Sequence, residues 1–264
     1  MGRITECFKE LKNKGEKALV SYLMVGYPDY ETSLQAFRTV LENGTDILEI
    51  GFPFSDPVAD GPTIQVAHEV ALKNGIRFKE VLELSKTLRK EFTKQPFLLM
   101  TYYNPIFRIG LKRFCEEAKE SGIDGFIVPD LPPEEAGELK EVMGEYELSF
   151  VPLASPTSTQ KRLKLVCESA DEMVYFVSVT GTTGAREELP YERIKSKVSE
   201  YKELCNKPVV VGFGVSKKKH AKEISSFADG VVVGSALVKL AGKRDLKALR
   251  ELILELKEGC RHAS

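Results

Sequence analysis

With 264 residues and 42% hydrophobic side chains the chain can bury one large core, and no run of about 18 apolar residues offers a membrane span. Its 38 basic and 39 acidic side chains leave a formal net charge of −1, which excludes a global field for nucleic acid or an anionic membrane, so any anion must be held locally. The five cysteines, Cys7, Cys115, Cys167, Cys205 and Cys260, include no CxxC pair and no histidine at ligand spacing, which argues against a disulfide framework and a structural zinc.

In chain order, the opening MGRITECFKELKNKGEK lacks the apolar core of a secretory signal. It reads as an extra first helix with Thr5 as N-cap, in a cytoplasmic protein. Eight β-rich runs follow, at Ala18–Met24, 46–50, 96–102, 125–128, 148–153, 173–177, 208–212 and Gly230–Val233. Several are continuously apolar, as strands covered on both faces should be. Between them, segments rich in Lys, Glu, Leu and Ala carry helical spacing at 30–43, Phe78–Glu91, 112–121, 134–146, Gln160–Ser169 and 217–227. This alternation argues for parallel strands with crossover helices. An open doubly wound sheet competes, but it usually carries GxGxxG after its first strand, where this chain reads VGYPDYETS. The expected fold is α/β, a (β/α)8 TIM barrel with an extra N-terminal helix. No linker, composition shift or fixed-period repeat divides it, so residues 1–264 are expected to form a single domain.

In such a barrel the chemistry sits at the C-terminal strand ends. The second strand and its loop read DILEIGFPFSDPVADGPTIQ, placing Glu49 among apolar residues and Asp56 and Asp60 on a Gly- and Pro-rich loop. A buried, unpartnered Glu49 has its pKa raised toward the working range of a general acid or base. The alternative is a Glu49 pointing outward between helices and paired with a lysine; its strand-end position favours the first reading. Gly212 and Gly214 after the seventh strand, and Gly234 and Ser235 leading into a short helix after the eighth, stand where barrels commonly hold phosphate. VTGTTGAREELP after the sixth strand reads as a lid or as an ordinary connection. His68, His220 and His262 form no Ser–His–Asp or HExxH arrangement, so acid–base work falls to carboxylates. The run 217–219 starts a solvated helix.

LEIGFPFSDPVADGPTIQ closely resembles the signature of tryptophan synthase α subunits, and GTTGA, GFGVS and GSALVK resemble three further segments of that family. The similarity runs from about Ala18 to Leu240. The resemblance implies a reversible retro-aldol cleavage of indole-3-glycerol phosphate to indole and glyceraldehyde 3-phosphate, with no metal, lysine Schiff base or cofactor in this chain. Glu49 would be the acid–base carboxylate that protonates the indole ring carbon and takes the side-chain hydroxyl proton. Asp60 would bind the indole N–H and stabilise the charge developing there. Gly184, Gly214, Gly234 and Ser235 would bind phosphate, and Thr183 would close the lid toward Asp60. Tyr175 would lie beside Glu49, while Tyr22, Met100, Tyr102 and Leu153 would line the indole pocket. Tyr22 and Met100 stand where members often carry Phe and Leu, and Thr182 replaces a common Val, which bears on pocket shape.

The implied partner is a β subunit that carries pyridoxal phosphate and receives indole through a tunnel, in an α2β2 complex. Pro53, Asp56 and Pro57, Asn104 and Phe107, and Asp130 and Pro132 match the family's contact surface. Two rivals remain at this point: a neighbouring phosphate-binding barrel acting on ribosyl-anthranilate compounds, and an idle subunit that only activates its partner.

Overall fold

The computed structural model describes residues 2–177 and 191–261. Nine parallel strands form one ladder: β1 (Ala18–Met24), β2 (Ile47–Gly51), β3 (Phe97–Met100), β4 (Gly125–Ile127), β5 (Ser149–Phe150), β6 (Leu153–Ala154), β7 (Val174–Val177), β8 (Val209–Gly212) and β9 (Gly230–Val233). The described helices are α1 (Arg3–Lys14), α2 (Tyr30–Glu42), α3 (Pro62–Lys73), α4 (Phe78–Glu91), α5 (Tyr103–Ile109), α6 (Leu111–Glu120), α7 (Gly137–Glu145), α8 (Gln160–Ser169), α9 (Tyr191–Leu204), α10 (Lys218–Ser225), α11 (Ser235–Gly242) and α12 (Leu246–Arg261).

The ladder order β5-β4-β3-β2-β1-β9-β8-β7-β6 begins and ends on two pieces of one short stretch, so the sheet returns to its own start and closes as an eight-stranded barrel. The fifth run, expected at 148–153 as a single strand, is therefore divided. Val151 N–H donates to the Phe126 carbonyl at 3.0 Å on the β4 side, and the Pro152 carbonyl accepts from Tyr175 N–H at 3.1 Å on the β7 side. Pro152 has no amide hydrogen to continue the first ladder, and the pairing changes hands there.

Side chains alternate across the wall. Ala18, Val20, Ile47, Leu98, Ile127, Val151, Val210 and Val232 pack together inside the barrel, while Leu19, Leu48, Ile50, Phe97, Phe126, Val211 and Val231 join the larger core beneath the helices. Ile4 and Leu11 of α1 belong to the inner cluster, so the extra helix closes the barrel floor.

Two expectations are corrected. Gly2, not Thr5, is the N-cap of α1; Thr5 lies in the first turn, where its N–H and hydroxyl donate to Glu172 Oε1 at 3.2 and 2.5 Å. A carboxylate from a distant loop thus supplies the capping acceptor. A disulfide also exists, between Cys167 of α8 and Cys205 just after α9, with Cα atoms 5.9 Å apart across 38 positions of sequence. Spacing along the chain carries no sign of it, because the packing of α8 on α9 brings the two thiols together.

At the floor, four carboxylates accept the opening N–H groups of neighbouring strands. Asp46 takes Leu19, Asp124 takes Phe97, Asp171 takes Phe150 and Asp229 takes Val209, at 2.7–2.9 Å. No described helix is long and apolar enough to cross a membrane.

Candidate active site

Glu49 pairs in register with Tyr22 of β1 and Leu98 of β3, two positions beyond the inward Ile47. The period of two along a strand sends Glu49 into the barrel, and the outward, lysine-paired alternative is set aside. The residue is 1% exposed, and its Oε1 has no hydrogen-bond partner. Burial pushes its pKa up from 4.5 to about 8.

Asp60 sits on the loop between β2 and α3, one residue before the Gly61 N-cap and the Pro62 that opens the helix. Its Oδ2 accepts from the Tyr102 hydroxyl at 2.8 Å and meets His68 Nε2 at 2.9 Å. Ala59 N–H donates to the Tyr102 hydroxyl at 3.0 Å, and Phe54 stacks on the Tyr102 ring at 5.1 Å. Two hydrogen bonds converge on this one oxygen and fix the orientation of the carboxylate.

Both carboxylates open on a cavity of about 390 Å³ at the C-terminal ends of the strands, shared with Tyr22, Met100, Tyr175, Gly214, Gly234 and Ser235. Tyr22 and Tyr175 are buried, and their hydroxyl pKa values are driven upward first by burial and then by the charges of Asp60 and Glu49. Both phenols remain neutral beside the two acids. A Cβ on Gly51 would stand 2.6 Å from the Tyr22 hydroxyl, and one on Gly212 would stand 2.6 Å from that of Tyr175, so these glycines make room for the phenols.

The other end of the cavity joins a glycine turn to the start of a helix. Gly214 holds φ +57, a left-handed conformation that glycine adopts without strain. Gly234 leads into α11, where a Cβ would find nothing nearer than 3.8 Å. The Ser235 and Ala236 amides at the start of α11 line this space, ahead of Leu237 N–H and Val238 N–H, which donate to the Gly234 carbonyl at 2.9 and 3.0 Å.

A model of the tryptophan synthase alpha chain family matches residues 8–262. The tryptophan synthase alpha chain of Aquifex aeolicus (strain VF5) is 79% identical over 261 residues, covering 99% of this chain and 100% of that protein. The chain belongs to the tryptophan synthase alpha chain family. A solved structure from Aquifex aeolicus VF5 superposes with a TM-score of 0.94 at 76% identity, covering 99% of this chain and 100% of that one. A chain of Mycobacterium tuberculosis tryptophan synthase gives 0.92 at 37% identity, with 98% of each chain covered.

The residues expected from the tryptophan synthase resemblance do not all reach the cavity wall. Tyr102 stands behind Asp60 and acts on it by hydrogen bond, and Leu153 pairs with Tyr175 in the β6–β7 register without reaching the wall. Thr182, Thr183, Gly184, the lid expectation and His262 lie outside the described residues. On the face expected to meet a β subunit, Asp56, Asn104, Phe107 and Asp130 are exposed, Pro57 and Pro132 are half-buried, and Pro53 is buried beneath its loop. Val58 and Phe107 are the most exposed large apolar residues described, at 82% and 66%.

Sequence reasoning passed over His68 as a partner of Asp60. It also missed Lys239 of α11 and Lys243 at its C-cap, which line the cavity four residues apart. Their i, i+4 spacing directly after Gly234 and Ser235 was a readable sign of a cationic rim.

Proposed function

We propose that Glu49 and Asp60 divide the labour of the lyase reaction this family performs. The chain is a carbon–carbon lyase that cleaves indole-3-glycerol phosphate to indole and glyceraldehyde 3-phosphate in tryptophan biosynthesis. The observation that carries the division is the contrast between the two acids: Glu49 is buried with an orphan oxygen and a pKa near 8, whereas Asp60 is anchored by hydrogen bonds.

Cleavage then runs as a proton cycle. Protonated Glu49 gives its proton to the indole ring carbon that bears the side chain. Positive charge develops on the ring nitrogen, and Asp60 stabilises it through the N–H. The hydroxyl on the first side-chain carbon loses its proton to the Glu49 carboxylate as the carbon–carbon bond breaks. That electron pair restores the aromatic ring, the oxygen becomes an aldehyde, and Glu49 is again protonated. Gly214, Gly234, Ser235 and Gly184 hold the phosphate, with Lys239 and Lys243 adding positive charge at the rim. Tyr22, Met100 and Tyr175 contact the ring.

An alpha chain implies a β-subunit partner. The exposed Asp56, Val58, Asn104, Phe107 and Asp130 support docking on this face, with pyridoxal phosphate in the partner and indole passed between them. The test is indole release by wild type, Glu49→Gln and Asp60→Asn, each with and without a β subunit. Turnover by wild type alone, accelerated by the partner, supports both roles; comparable activity in Glu49→Gln contradicts the proton cycle.

A further inference from the structure

His68 is one of two buried histidines among the described residues, at 3% exposure on the buried face of α3. Both of its nitrogens are engaged. Phe54 N–H, on the loop leaving β2, points at Nδ1 from 2.9 Å. A backbone amide can only donate, so Nδ1 accepts and the ring hydrogen resides on Nε2. Nε2 then donates to Asp60 Oδ2 at 2.9 Å, onto the same oxygen that Tyr102 reaches at 2.8 Å. The Tyr102 ring meets the imidazole edge-on at 6.2 Å, which fixes the ring plane.

We propose that His68 is the positioning residue for Asp60: it holds the carboxylate rotamer so that Oδ1 is presented to the ring nitrogen of the substrate. The inference rests on the role proposed above for Asp60. Asp60 lies on a loop whose Ser55, Asp56, Val58 and Ala59 are exposed, with no strand or helix of its own to set its χ angles. Two converging donors, one from α3 and one from the end of β3, replace that missing scaffold. Tyr102 alone fixes a distance; with His68 from a second direction the carboxylate plane is fixed as well. The Phe54 amide has the further effect of locking the tautomer, since the opposite tautomer would set two N–H groups against each other and leave Asp60 without its second donor.

Two replacements separate these functions. In His68→Gln the longer side chain carries an N–H donor to the place of Nε2 and retains the Asp60 contact. In His68→Asn the shorter amide accepts from Phe54 N–H in the place of Nδ1 and falls short of Asp60. With the full chain saturated by a β subunit, His68→Asn is expected to lower kcat for indole release tenfold to about a hundredfold, with KM changed less than about threefold. His68→Gln is expected to stay within about fivefold of wild type. In an Asp60→Asn background, His68→Asn is expected to add less than about a twofold loss, because the carboxylate to be positioned is gone.

Wild-type kcat in His68→Asn, or an undiminished loss on top of Asp60→Asn, overturns the positioning role. Full activity in Asp60→Asn itself overturns the underlying role of Asp60, a separate result from an inactive Asp60→Asn with an active His68→Asn. Imidazole 15N NMR of the wild-type chain needs no variant to fold: a hydrogen on Nε2 is expected, and a hydrogen on Nδ1 overturns the proposal.

Discussion

Asp46, just before β2, and Glu49, in the middle of it, stand three residues apart, and the fold gives them opposite hydrogen-bonding environments. At the floor, Asp46 accepts Leu19 N–H and Lys257 Nζ, each at 2.8 Å, and Lys257 also reaches Glu16 at 3.1 Å. Burial alone would pull the Lys257 pKa down, but Asp46 and Glu16 outweigh it and raise it, so the ammonium stays charged. Asp124 is held as firmly, between Arg3 and Arg89 at 2.8 Å each. At the mouth, Glu49 is more buried than Asp46 and has an oxygen with no partner. A buried polar group left unsatisfied costs about 1–3 kcal/mol. The barrel spends its carboxylate hydrogen bonds on strand ends at the floor and leaves Glu49 at the mouth with an unsatisfied oxygen, the group on which the proposed proton cycle turns.

The sharpest way to break this contrast is Glu49→Gln. Its kcat for cleavage is expected to fall by a factor of about 10²–10⁴, as for loss of a general acid–base group. Its urea midpoint is expected to hold or rise, since a neutral amide replaces a buried acid with an unsatisfied oxygen; a fall in both would place Glu49 among the structural residues. Next in size is the disulfide. Reduction, or Cys167→Ser with Cys205→Ser, releases a loop of 38 positions and is expected to lower unfolding free energy by up to about 4 kcal/mol on a chain-entropy basis. Denaturation with and without reductant measures this.

Lys257→Met strands Asp46 and Glu16 at the floor and is expected to cost about 3 kcal/mol, with kcat within about twofold of wild type. A stable, slow Lys257→Met would erase the distinction between floor and mouth. The smallest effect, taken per pH unit, is the Glu49 contribution to stability. Below about 4.5 the group is protonated in both states; between there and about 8 the unfolded chain ionises while the native one does not. Native stability therefore falls as pH rises through that window, by up to about 1.4 kcal/mol per unit from this group, and Glu49→Gln removes the slope. Comparing the two proteins at pH 5 and pH 8 isolates it.

Much of this was readable in the letters. Ala18–Met24, Phe78–Glu91, Gln160–Ser169 and Gly230–Val233 coincide with observed elements because each has a continuous apolar run or an unbroken helical period. α12 has the same kind of spacing at Leu249, Ile253, Leu256 and Cys260 yet follows the last strand, where the strand–helix alternation does not draw attention to it. The division of the fifth strand at Pro152, the Glu172 cap on α1 and the Cys167–Cys205 bond all depend on partners far away in sequence, which no local pattern encodes. Within the site, residue type and strand-end position pointed to Glu49, whereas Asp60 was told apart from Asp56 only by the family resemblance. His68 was not legible, because its significance comes from a loop that folds Phe54 and Asp60 onto opposite edges of one ring.

Direct titration of the Glu49 carboxyl tests the central claim, using 13C-carboxyl-labelled glutamate in the wild-type chain with Glu49→Gln to assign the signal. The orphaned, buried acid predicts a midpoint near 8 that moves when substrate phosphate and ring fill the cavity. A midpoint near the 4.5 of an ordinary glutamate, unmoved by ligand, would show Glu49 solvated or paired and would contradict its role as the proton carrier.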